Sequence, residues 1–369
     1  MLRNPRFKVP DPLKVLFLFE DLCFGGTQAQ NLELALRLDQ EKFAPEILTL
    51  TGPTDMDARV AKAGIPLHHL GRDRSVPLLF FARLGKCLGE LKPDILLPCT
   101  ALPNIWGRIW GKIRRVPVVI GTCRGGGAPF RQHERFLWRL ADGIICNSRQ
   151  LFKPMLDAGV ARERMVYIPN GVDIERFRPV PKTFSVKQPL IVCVARLARD
   201  KDHKTLILAF AKLLETVPEA RLRLVGEGPE EARLRKFVES ALPGEGRDRV
   251  EFAGASANPE QHFAAADICA LASVREGQPN AILEAMSSCR PVCATAVGAI
   301  PELLEGNGLI SAPGDADGLA DNFLALLRAP AMAAHMAYQG RLKAETDYSY
   351  QAMVSRHQDY FLEIYQRGA

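Results

Sequence analysis

Residues 273–302, SVREGQPNAILEAMSSCRPVCATAVGAIPE, place two carboxylates near the predicted start of a helix. Pro279 favours the first turn of a helix, and the run after it is rich in good helix formers. Glu276 precedes this helix, and Glu284 lies about a turn and a half inside it. An apolar run of strand type, residues 267–272, comes before the loop. The predicted order is therefore strand, loop, helix and strand, with one carboxylate before the helix and one within it.

The predicted N-terminus of this helix is suited to binding an anion. The backbone amides of Asn280, Ala281 and Ile282 would hold a phosphate. The carboxylates of Glu276 and Glu284 would accept hydrogen bonds from hydroxyl groups. A nucleotide sugar offers both kinds of group, because its diphosphate lies between two polyols. The alternative is an ordinary crossover with one solvated loop carboxylate and one carboxylate on the helix surface.

Two basic residues follow another predicted strand, in the sequence LIVCVARLARDKDHKTL. Arg196 and Lys201 come after the carboxyl end of that strand, so both could oppose a diphosphate. The same contacts would stabilise charge that develops on a leaving nucleoside diphosphate. The alternative is a solvated turn in which Asp200 and Asp202 pair with the two bases. Together with the two glutamates, the binding interpretation is favoured.

Strand-like and helical stretches alternate in both halves of the chain. The strand-like runs are 14–19, 44–50, 94–98, 116–121 and 143–147, and then 190–195, 221–225, 250–253 and 267–272. This alternation predicts an α/β protein with parallel sheets covered by helices. The length of 369 residues suits two domains. The predicted domains are 1–178 and 190–347, joined by the Pro-rich linker 179–189 and followed by a helical segment, 348–369.

Composition and charge exclude several classes of protein. The chain is 47% hydrophobic and 24% charged, as in soluble globular proteins. No apolar run reaches the roughly 18 residues needed to cross a bilayer, and the first residues do not resemble a signal peptide, which predicts a cytoplasmic location. The nine cysteines are scattered without a Cys-x-x-Cys pair, so we expect reduced thiols. Residues 1–185 hold 28 basic and 18 acidic residues, leaving 20 basic and 24 acidic ones in the remainder. The basic first half predicts an anionic partner for that half alone.

Several short motifs occur in a fixed order along the chain. They are Gly25-Gly26-Thr27-Gln28, the turn 169–173, Arg196 with Lys201, Gly226-Glu227-Gly228-Pro229, Glu276 with Glu284, Arg290-Pro291-Val292, residues 298–302 and Pro313-Gly314-Asp315. In this order and spacing, the chain resembles the retaining glycosyltransferases of family 4 over nearly its whole length. The resemblance implies the GT-B fold, which has two facing Rossmann-like domains and an interdomain cleft. It also implies that the C-terminal helix, 348–369, crosses back to the first domain.

The resemblance implies a role for each matching residue. Arg196 and Lys201 would bind the donor diphosphate, and Glu276 would contact hydroxyls of the donor sugar; these three form the expected catalytic set. Glu284 would bind the ribose, and Glu302 would lie near the donor. The co-substrate would be a UDP- or GDP-linked sugar, with no cofactor and no metal ion. Transfer would proceed by front-face departure through an oxocarbenium-like state.

Backbone groups complete the expected donor site. The resemblance places three glycines there, Gly25, Gly26 and Gly226, together with the helix-start amides of Asn280, Ala281 and Ile282. These are positions at which the absence of a side chain, or a free amide, lets the backbone approach a phosphate.

The acceptor side departs from the family pattern. Many relatives carry a histidine after the strand that corresponds to residues 116–121, but here Arg124 occupies that region. Arg124 would bind an anionic acceptor, or it is a solvated loop residue. His133 is nearby, in a predicted helix start. Gln28 and Ala299 replace a glutamate and a glycine that are frequent in the family.

A surface that mixes tryptophans and bases is expected in the first domain, around Trp106, Trp110 and Trp138. It predicts peripheral contact with anionic lipid on the inner face of the membrane, presenting a glycan or lipid-linked acceptor of polysaccharide or lipopolysaccharide synthesis. Alternatively, the tryptophans are core residues and the bases a solvated face. No nucleic-acid-binding motif accompanies the bases. The alternatives to a transferase are a nucleotide-sugar epimerase and a non-catalytic nucleotide-sugar-binding subunit.

Overall fold

The structure is a computed structural model of the chain, and it describes residues 11–23, 25–71, 77–125, 134–242 and 244–368. The chain forms two compact units. The first contains the residues up to Asn170 together with those from Tyr350 onward, and the second is Gly171–Ser349. The segment predicted as a linker, 179–189, belongs to the second unit.

The first unit is built on a parallel sheet of seven strands. The strands are β1 (Leu13–Phe19), β2 (Phe43–Thr49), β3 (Leu67–His69), β4 (Ile95–Pro98), β5 (Val118–Cys123), β6 (Gly143–Cys146) and β7 (Met165–Tyr167). Their order in the sheet is β3-β2-β1-β4-β5-β6-β7. The sheet reverses its direction of growth between β1 and β4, which are neighbours. The three-residue strands β3 and β7 were not predicted, because three residues are too short to show a periodic pattern.

The second unit repeats this design with six parallel strands. They are β8 (Leu190–Val194), β9 (Arg221–Val225), β10 (Val250–Gly254), β11 (Ile268–Leu271), β12 (Val292–Thr295) and β13 (Leu309–Ser311). Their order is β10-β9-β8-β11-β12-β13. This is the Rossmann order 3-2-1-4-5-6, in which ligands bind where the direction of growth reverses, at the carboxyl ends of the two central strands. In this unit those strands are β8 and β11.

Helices connect the strands. Those of the first unit are α1 (Gly26–Arg37), α2 (Asp57–Lys62), α3 (Pro77–Leu91), α4 (Ala101–Ile113), α5 (Glu134–Leu137) and α6 (Phe152–Asp157). Those of the second are α7 (His203–Thr216), α8 (Glu231–Ala241), α9 (Pro259–Ala265), α10 (Asn280–Ser287), α11 (Ile300–Leu303), α12 (Ala316–Arg328) and α13 (Pro330–Thr346). The last helix, α14 (Tyr350–Gly368), belongs to the first unit.

Each unit has its own apolar core, because strands of a parallel sheet are covered by helices on both faces. In the first unit, one core cluster joins residues of β1 and β2 to residues of α14. Phe361 of α14 is fully buried and packs edge-on against Phe43 of β2, with ring centroids 6.1 Å apart. The C-terminal helix is thereby part of the first unit's core.

Membrane-spanning helices are absent from the described part of the chain, since none of its helices is both long and apolar enough to cross a bilayer. All nine cysteines are free thiols. Most of them are buried in the sheets, where burial raises the pKa of thiols such as Cys193 to about 12.

Candidate active site

Two oppositely charged side chains meet at the carboxyl ends of β8 and β11. The Lys201 ammonium donates a hydrogen bond to Glu276 Oε1 at 2.5 Å. The Ser273 hydroxyl donates to the same oxygen at 2.6 Å. The side chains of Lys201 and Glu276 are only 20% and 8% exposed, so water screens the pair weakly. The fold thus joins two of the predicted site residues at the place where a Rossmann-type sheet binds ligands.

The loops that carry this ion pair are tied to each other by backbone hydrogen bonds. The Val274 amide donates to the Asp200 carbonyl oxygen at 3.0 Å, which links the loop after β11 to the loop after β8. The Thr295 hydroxyl, at the end of β12, donates to the Ser273 carbonyl oxygen at 2.5 Å. Ser273 was not among the predicted site residues, although its position three residues before Glu276 at the end of a strand-like run was a usable signal.

A glycine turn after β12 packs directly against the Glu276 loop. Gly298 has a φ of +55°, and a Cβ atom at this position would lie 2.4 Å from the Glu276 carbonyl oxygen. The Ala299 amide donates to the Gly277 carbonyl oxygen at 2.8 Å. Only glycine satisfies both the positive φ and the close approach at position 298. Ala299, a departure from the family pattern, is buried without disturbing this contact.

Arg196 lies apart from the ion pair. Its side chain is 69% exposed, and its Nη2 atom is 3.7 Å from Asp200 Oδ1. This distance fits a loose surface ion pair, one of the two that the solvated-turn alternative proposed. The other did not form; Asp202 instead caps α7 by accepting a hydrogen bond from the Thr205 amide at 3.4 Å, and it also accepts one from the Thr205 hydroxyl at 2.6 Å. Within the predicted catalytic set, the structure therefore brings Lys201 and Glu276 together and leaves Arg196 at the surface.

Gly226 supports the backbone next to Arg196. Its φ is +140°, and an added Cβ atom would lie 2.2 Å from the Ala195 carbonyl oxygen. An added Cβ atom at Gly228 would lie 2.3 Å from the Leu197 carbonyl oxygen. The glycine turn therefore packs tightly beneath the segment that carries Arg196. In the structure this packing accounts for both glycines.

The helix α10 begins at Asn280, one residue after the proline that was predicted to lie in its first turn. Pro279 is its N-cap residue, in an extended conformation, and Asn280 is the first helical residue. The Ile282 amide donates to the Pro279 carbonyl oxygen at 3.3 Å. This amide is engaged within the first turn and does not face outward as predicted. The predicted donors Asn280 and Ala281 occupy the first two positions of the helix.

Glu284 is a partly buried carboxyl group on α10. Its pKa is raised to about 7, chiefly by burial; the Arg176 charge opposes this shift and the Glu260 charge adds to it. Arg176 Nε donates a hydrogen bond to Glu260 at 2.9 Å. Among the residues that the structure describes, Glu284 has neither an ion-pair nor a hydrogen-bond partner for its carboxyl group. It is therefore placed to accept hydrogen bonds from an incoming hydroxyl-bearing ligand.

Three further residues predicted to contact the donor are described best by their backbone positions. Glu302 is a partly buried residue of α11, and its carbonyl oxygen accepts a hydrogen bond from Lys343 Nζ at 2.8 Å. In the first unit, Gly25 is the extended N-cap residue of α1, and Gly26 is the first residue of that helix. The side-chain oxygen of Gln28 lies 2.6 Å from the position of a Cβ atom on Gly25. A side chain at position 25 would therefore have to displace Gln28.

Arg124 follows β5 in the first unit and is bound by two asparagines. Its Nη1 atom donates to Asn170 Oδ1 at 2.9 Å, and its Nη2 atom donates to Asn31 Oδ1 at 2.7 Å. Burial lowers the pKa of Arg124 to about 10. The solvated-loop alternative does not describe this side chain, which is held in a polar network that sequence patterns did not reveal. His133 lies outside the described residues.

The aromatic and basic residues of the first unit play mixed roles. Trp110 packs into a core cluster and covers Gly85, so the core alternative holds for this ring. The guanidinium of Arg139 lies 4.7 Å from the ring centroid of Trp138. Phe136 nearby is 67% exposed. The surface therefore combines the exposed ring of Phe136 with a basic side chain, Arg139, that stacks on the partly buried ring of Trp138.

Comparison with known proteins relates both halves of the chain to glycosyltransferases. A sequence model described as Glycosyltransferase Family 4 matches residues 24–176. A second, described as Glycosyl transferases group 1, matches residues 188–329.

Two curated relatives are similar over long segments. The chain is 31% identical over 293 residues to the GDP-mannose-dependent monoacylated alpha-(1-6)-phosphatidylinositol monomannoside mannosyltransferase of Corynebacterium glutamicum, covering 69% of the chain and 75% of the relative. It is 28% identical over 182 residues to the N-acetyl-alpha-D-glucosaminyl L-malate synthase of Bacillus anthracis, covering 49% of the chain and 47% of that protein.

The fold is shared with solved structures. The crystal structure of Anabaena HepE in complex with UDP-glucose superposes with a TM-score of 0.83 over 95% of the chain and 100% of that protein, at 22% identity. At this level of identity the likeness establishes the two-domain GT-B fold.

Proposed function

This chain belongs to glycosyltransferase family 4, and on that basis we propose that it transfers a sugar, with retention of configuration, from a nucleotide sugar to a glycan or lipid-linked acceptor. The observation that carries the proposal is the Lys201–Glu276 pair at the carboxyl ends of β8 and β11, 2.5 Å apart and shielded from water. A paired cation and anion at this position can exchange their mutual contact for contacts to a ligand that carries both a diphosphate and hydroxyl groups.

In the proposed reaction, the bond between the anomeric carbon and the diphosphate oxygen breaks, and its electron pair leaves with the nucleoside diphosphate. Lys201 moves its hydrogen bond from Glu276 to the diphosphate and stabilises the negative charge that develops there. Glu276 then accepts hydrogen bonds from the sugar hydroxyls. The acceptor oxygen bonds to the same face of the anomeric carbon, and its proton passes to the departing phosphate.

In this proposal Arg196 binds the diphosphate of the donor and Glu284 binds its ribose. The exposed guanidinium of Arg196 is released readily from Asp200, because a 3.7 Å surface pair contributes little stability. It can therefore turn to the diphosphate. The ionised Glu284 accepts both ribose hydroxyls. Asn280 and Ala281 at the start of α10 supply backbone amides for phosphate.

We expect the donor to carry UDP or GDP and the reaction to need neither a metal ion nor a cofactor. The GDP-mannose dependence named for the Corynebacterium relative supports GDP, and the UDP-glucose named for the HepE complex supports UDP. Lys201 supplies positive charge that a metal ion would otherwise provide. Turnover unchanged after treatment with EDTA, and an unchanged anomeric configuration in the product by NMR, are the expected results.

The acceptor is proposed to bind the first unit, with Arg124 as a contact. The names of the two curated relatives contain a phosphatidylinositol mannoside and L-malate, both of them acidic. The basic, aromatic surface around Phe136 and Arg139 would rest on anionic lipid at the inner face of the membrane, in envelope polysaccharide or lipopolysaccharide synthesis. Flotation with anionic but not neutral vesicles is expected.

The deciding experiment measures donor binding and release of nucleoside diphosphate. A panel of UDP-, GDP- and ADP-sugars is screened by thermal shift, since a bound ligand raises the apparent stability. Glu276→Ala should abolish transfer, whereas the matched control Glu305→Ala, at an exposed position, should not. Wild-type turnover in Glu276→Ala would overturn the assignment. An epimerase would convert the donor without an acceptor, and a binding subunit would never release nucleoside diphosphate.

A further inference from the structure

The guanidinium of Arg124 is a largely desolvated cation on a partly buried residue, and it has no acidic partner. Its two hydrogen-bond acceptors, Asn31 and Asn170, are neutral amides. Within the described ranges, no carboxylate lies at ion-pair distance from it, and its Nε atom is closed off from solvent and has no hydrogen-bond partner. Burial lowers the pKa of Arg124 only to about 10, so the side chain stays charged at neutral pH. Buried charges in proteins are usually paired, so this one requires an explanation.

Two further polar atoms near Arg124 are buried without partners. One is Asn147 Oδ1, whose neighbouring Nδ2 atom donates to Asn170 at 3.4 Å. The other is Nε2 of His357, on α14. The pKa of His357 is lowered to about 3, chiefly by burial; the hydrogen bond to the Met353 carbonyl opposes this shift and the Arg124 charge adds to it. The imidazole is therefore neutral. Since its Nδ1 atom lies 2.8 Å from the Met353 carbonyl oxygen, Nδ1 carries the proton and Nε2 is an acceptor.

These groups collect at one edge of the first unit's sheet. Arg124 directly follows β5, Asn147 directly follows β6, and Asn170 comes three residues after β7. Asn31 reaches the same place from α1. The carboxyl ends of neighbouring parallel strands are where α/β proteins bind ligands. The cluster thus has the position of a binding site, and it offers one cation together with two hydrogen-bond acceptors.

We propose that this cluster recognises an acidic sugar acceptor, whose carboxylate or phosphate group binds Arg124 and whose hydroxyl groups donate to Asn147 Oδ1 and His357 Nε2. The inference rests on the proposed transferase function and adds the chemical class of the acceptor. An anionic oxygen would replace a neutral amide as the partner of the guanidinium. Hydrogen bonds between charged partners are stronger than those to a neutral amide. The competing explanation is that Arg124 only clamps α1 to the segment after β7.

The test is a set of NMR titrations of the full-length chain with glucose, glucuronate and glucose 6-phosphate. We expect at least one of the two acids to bind about 10- to 100-fold more tightly than glucose, as one charge-assisted hydrogen-bonded contact allows. Comparing the two acids distinguishes a carboxylate from a phosphate ester. Equal binding of all three sugars, or no binding of either acid, would overturn the proposal.

Variants separate recognition from a structural clamp through the ratio of acid to neutral affinity, which is measured within each variant. Arg124→Met should bring the ratio close to one, and Arg124→Lys should keep part of it. Asn147→Asp leaves Arg124 in place but supplies the missing carboxylate, so it should also remove the preference. Arg83→Met removes an exposed charge of the same unit and should keep the wild-type ratio. An unchanged ratio in Arg124→Met or Asn147→Asp contradicts the proposal.

The titrations are independent of the transferase assay. A chain that releases nucleoside diphosphate from a nucleotide sugar but prefers neutral sugars retains the proposed function and loses this inference. A chain that binds acidic sugars but never cleaves a nucleotide sugar retains the anion site and loses the proposed function.

Discussion

At the scale of single residues, the Lys201–Glu276 pair combines a structural and a chemical role. Its two members are 20% and 8% exposed and are joined at 2.5 Å, so each neutralises a charge that the fold has removed from water. Removing one partner leaves the other buried and unpaired, which costs more than removing both.

We therefore expect Lys201→Met and Glu276→Gln each to destabilise the second unit by about 3–5 kcal/mol. The double variant should be closer to the wild type in stability and still inactive, because both groups are needed for donor chemistry. Urea unfolding and release of nucleoside diphosphate are the two measurements. Single variants as stable as the wild type, or a double variant less stable than both, would contradict a neutralising pair.

Glu284 makes donor binding depend on pH. Burial raises its pKa to about 7, so the carboxyl group is partly protonated at neutral pH. Because the folded pKa lies above the unfolded one, its contribution to stability is full below about pH 4.5 and is lost as the pH rises through about 7. The ionised form, by contrast, is the better acceptor for ribose hydroxyls.

Affinity for a nucleotide sugar should therefore increase between about pH 6 and pH 8, by up to tenfold per unit on the acidic side of the pKa. The diphosphate diester of the donor does not titrate in this range. Calorimetry on the wild type, Glu284→Gln and the exposed control Glu305→Gln checks this. A pH dependence that persists in Glu284→Gln would assign the effect to another group.

At the scale of elements, close backbone packing between loops positions the site. Gly298 has a positive φ, and a Cβ atom added at this position would lie 2.4 Å from the Glu276 carbonyl oxygen. Gly314 has a φ of +77° but nothing within 4 Å of an added Cβ atom. The two glycines therefore separate backbone strain from steric contact with the site.

Both Gly298→Ala and Gly314→Ala should lose about 1–2 kcal/mol of stability from the left-handed conformation. Only Gly298→Ala should also weaken donor binding, because its methyl group displaces the Glu276 loop. Thermal unfolding and donor titration distinguish the two effects. Wild-type donor affinity in Gly298→Ala would show that the turn does not position Glu276.

At the scale of the whole molecule, the chain returns to its first unit after completing the second. Residues of α14 share a core cluster with β1 and β2, and Phe361 is fully buried within it. The stability of the N-terminal sheet therefore depends on a helix more than 300 residues later in the sequence. The same helix carries His357, whose pKa is lowered in part by the charge of Arg124.

Phe361→Ala should destabilise the first unit by about 3–5 kcal/mol, as expected for truncating a buried phenylalanine. Phe136→Ala, which removes a ring that is 67% exposed, should change stability by less than about 0.5 kcal/mol. Hydrogen exchange should show the loss of protection in β1 and β2. Loss of protection only in α14 would mean that the helix is not integral to that core.

The sequence alone was sufficient for features that depend on local pattern and order. The α/β alternation, most strands to within a few residues, the family motifs and the spacing of Glu276 from Glu284 could all be read from it, because periodicity and turn residues act over a few positions. The resemblance to family 4 glycosyltransferases was sufficient for the GT-B fold. Strands of three residues, such as β13, carry too little pattern to be found.

Only the tertiary structure determined which side chains meet. The sequence identified Lys201 and Glu276 separately, but the order of β8 and β11 in the sheet joins them, while Arg196 remains at the surface. The same holds for Arg124, whose asparagine partners come from α1 and from the segment after β7. Such contacts depend on strand order and on burial. Burial also sets the local dielectric, and with it the pKa of a group such as Glu284, which spacing along the chain does not encode.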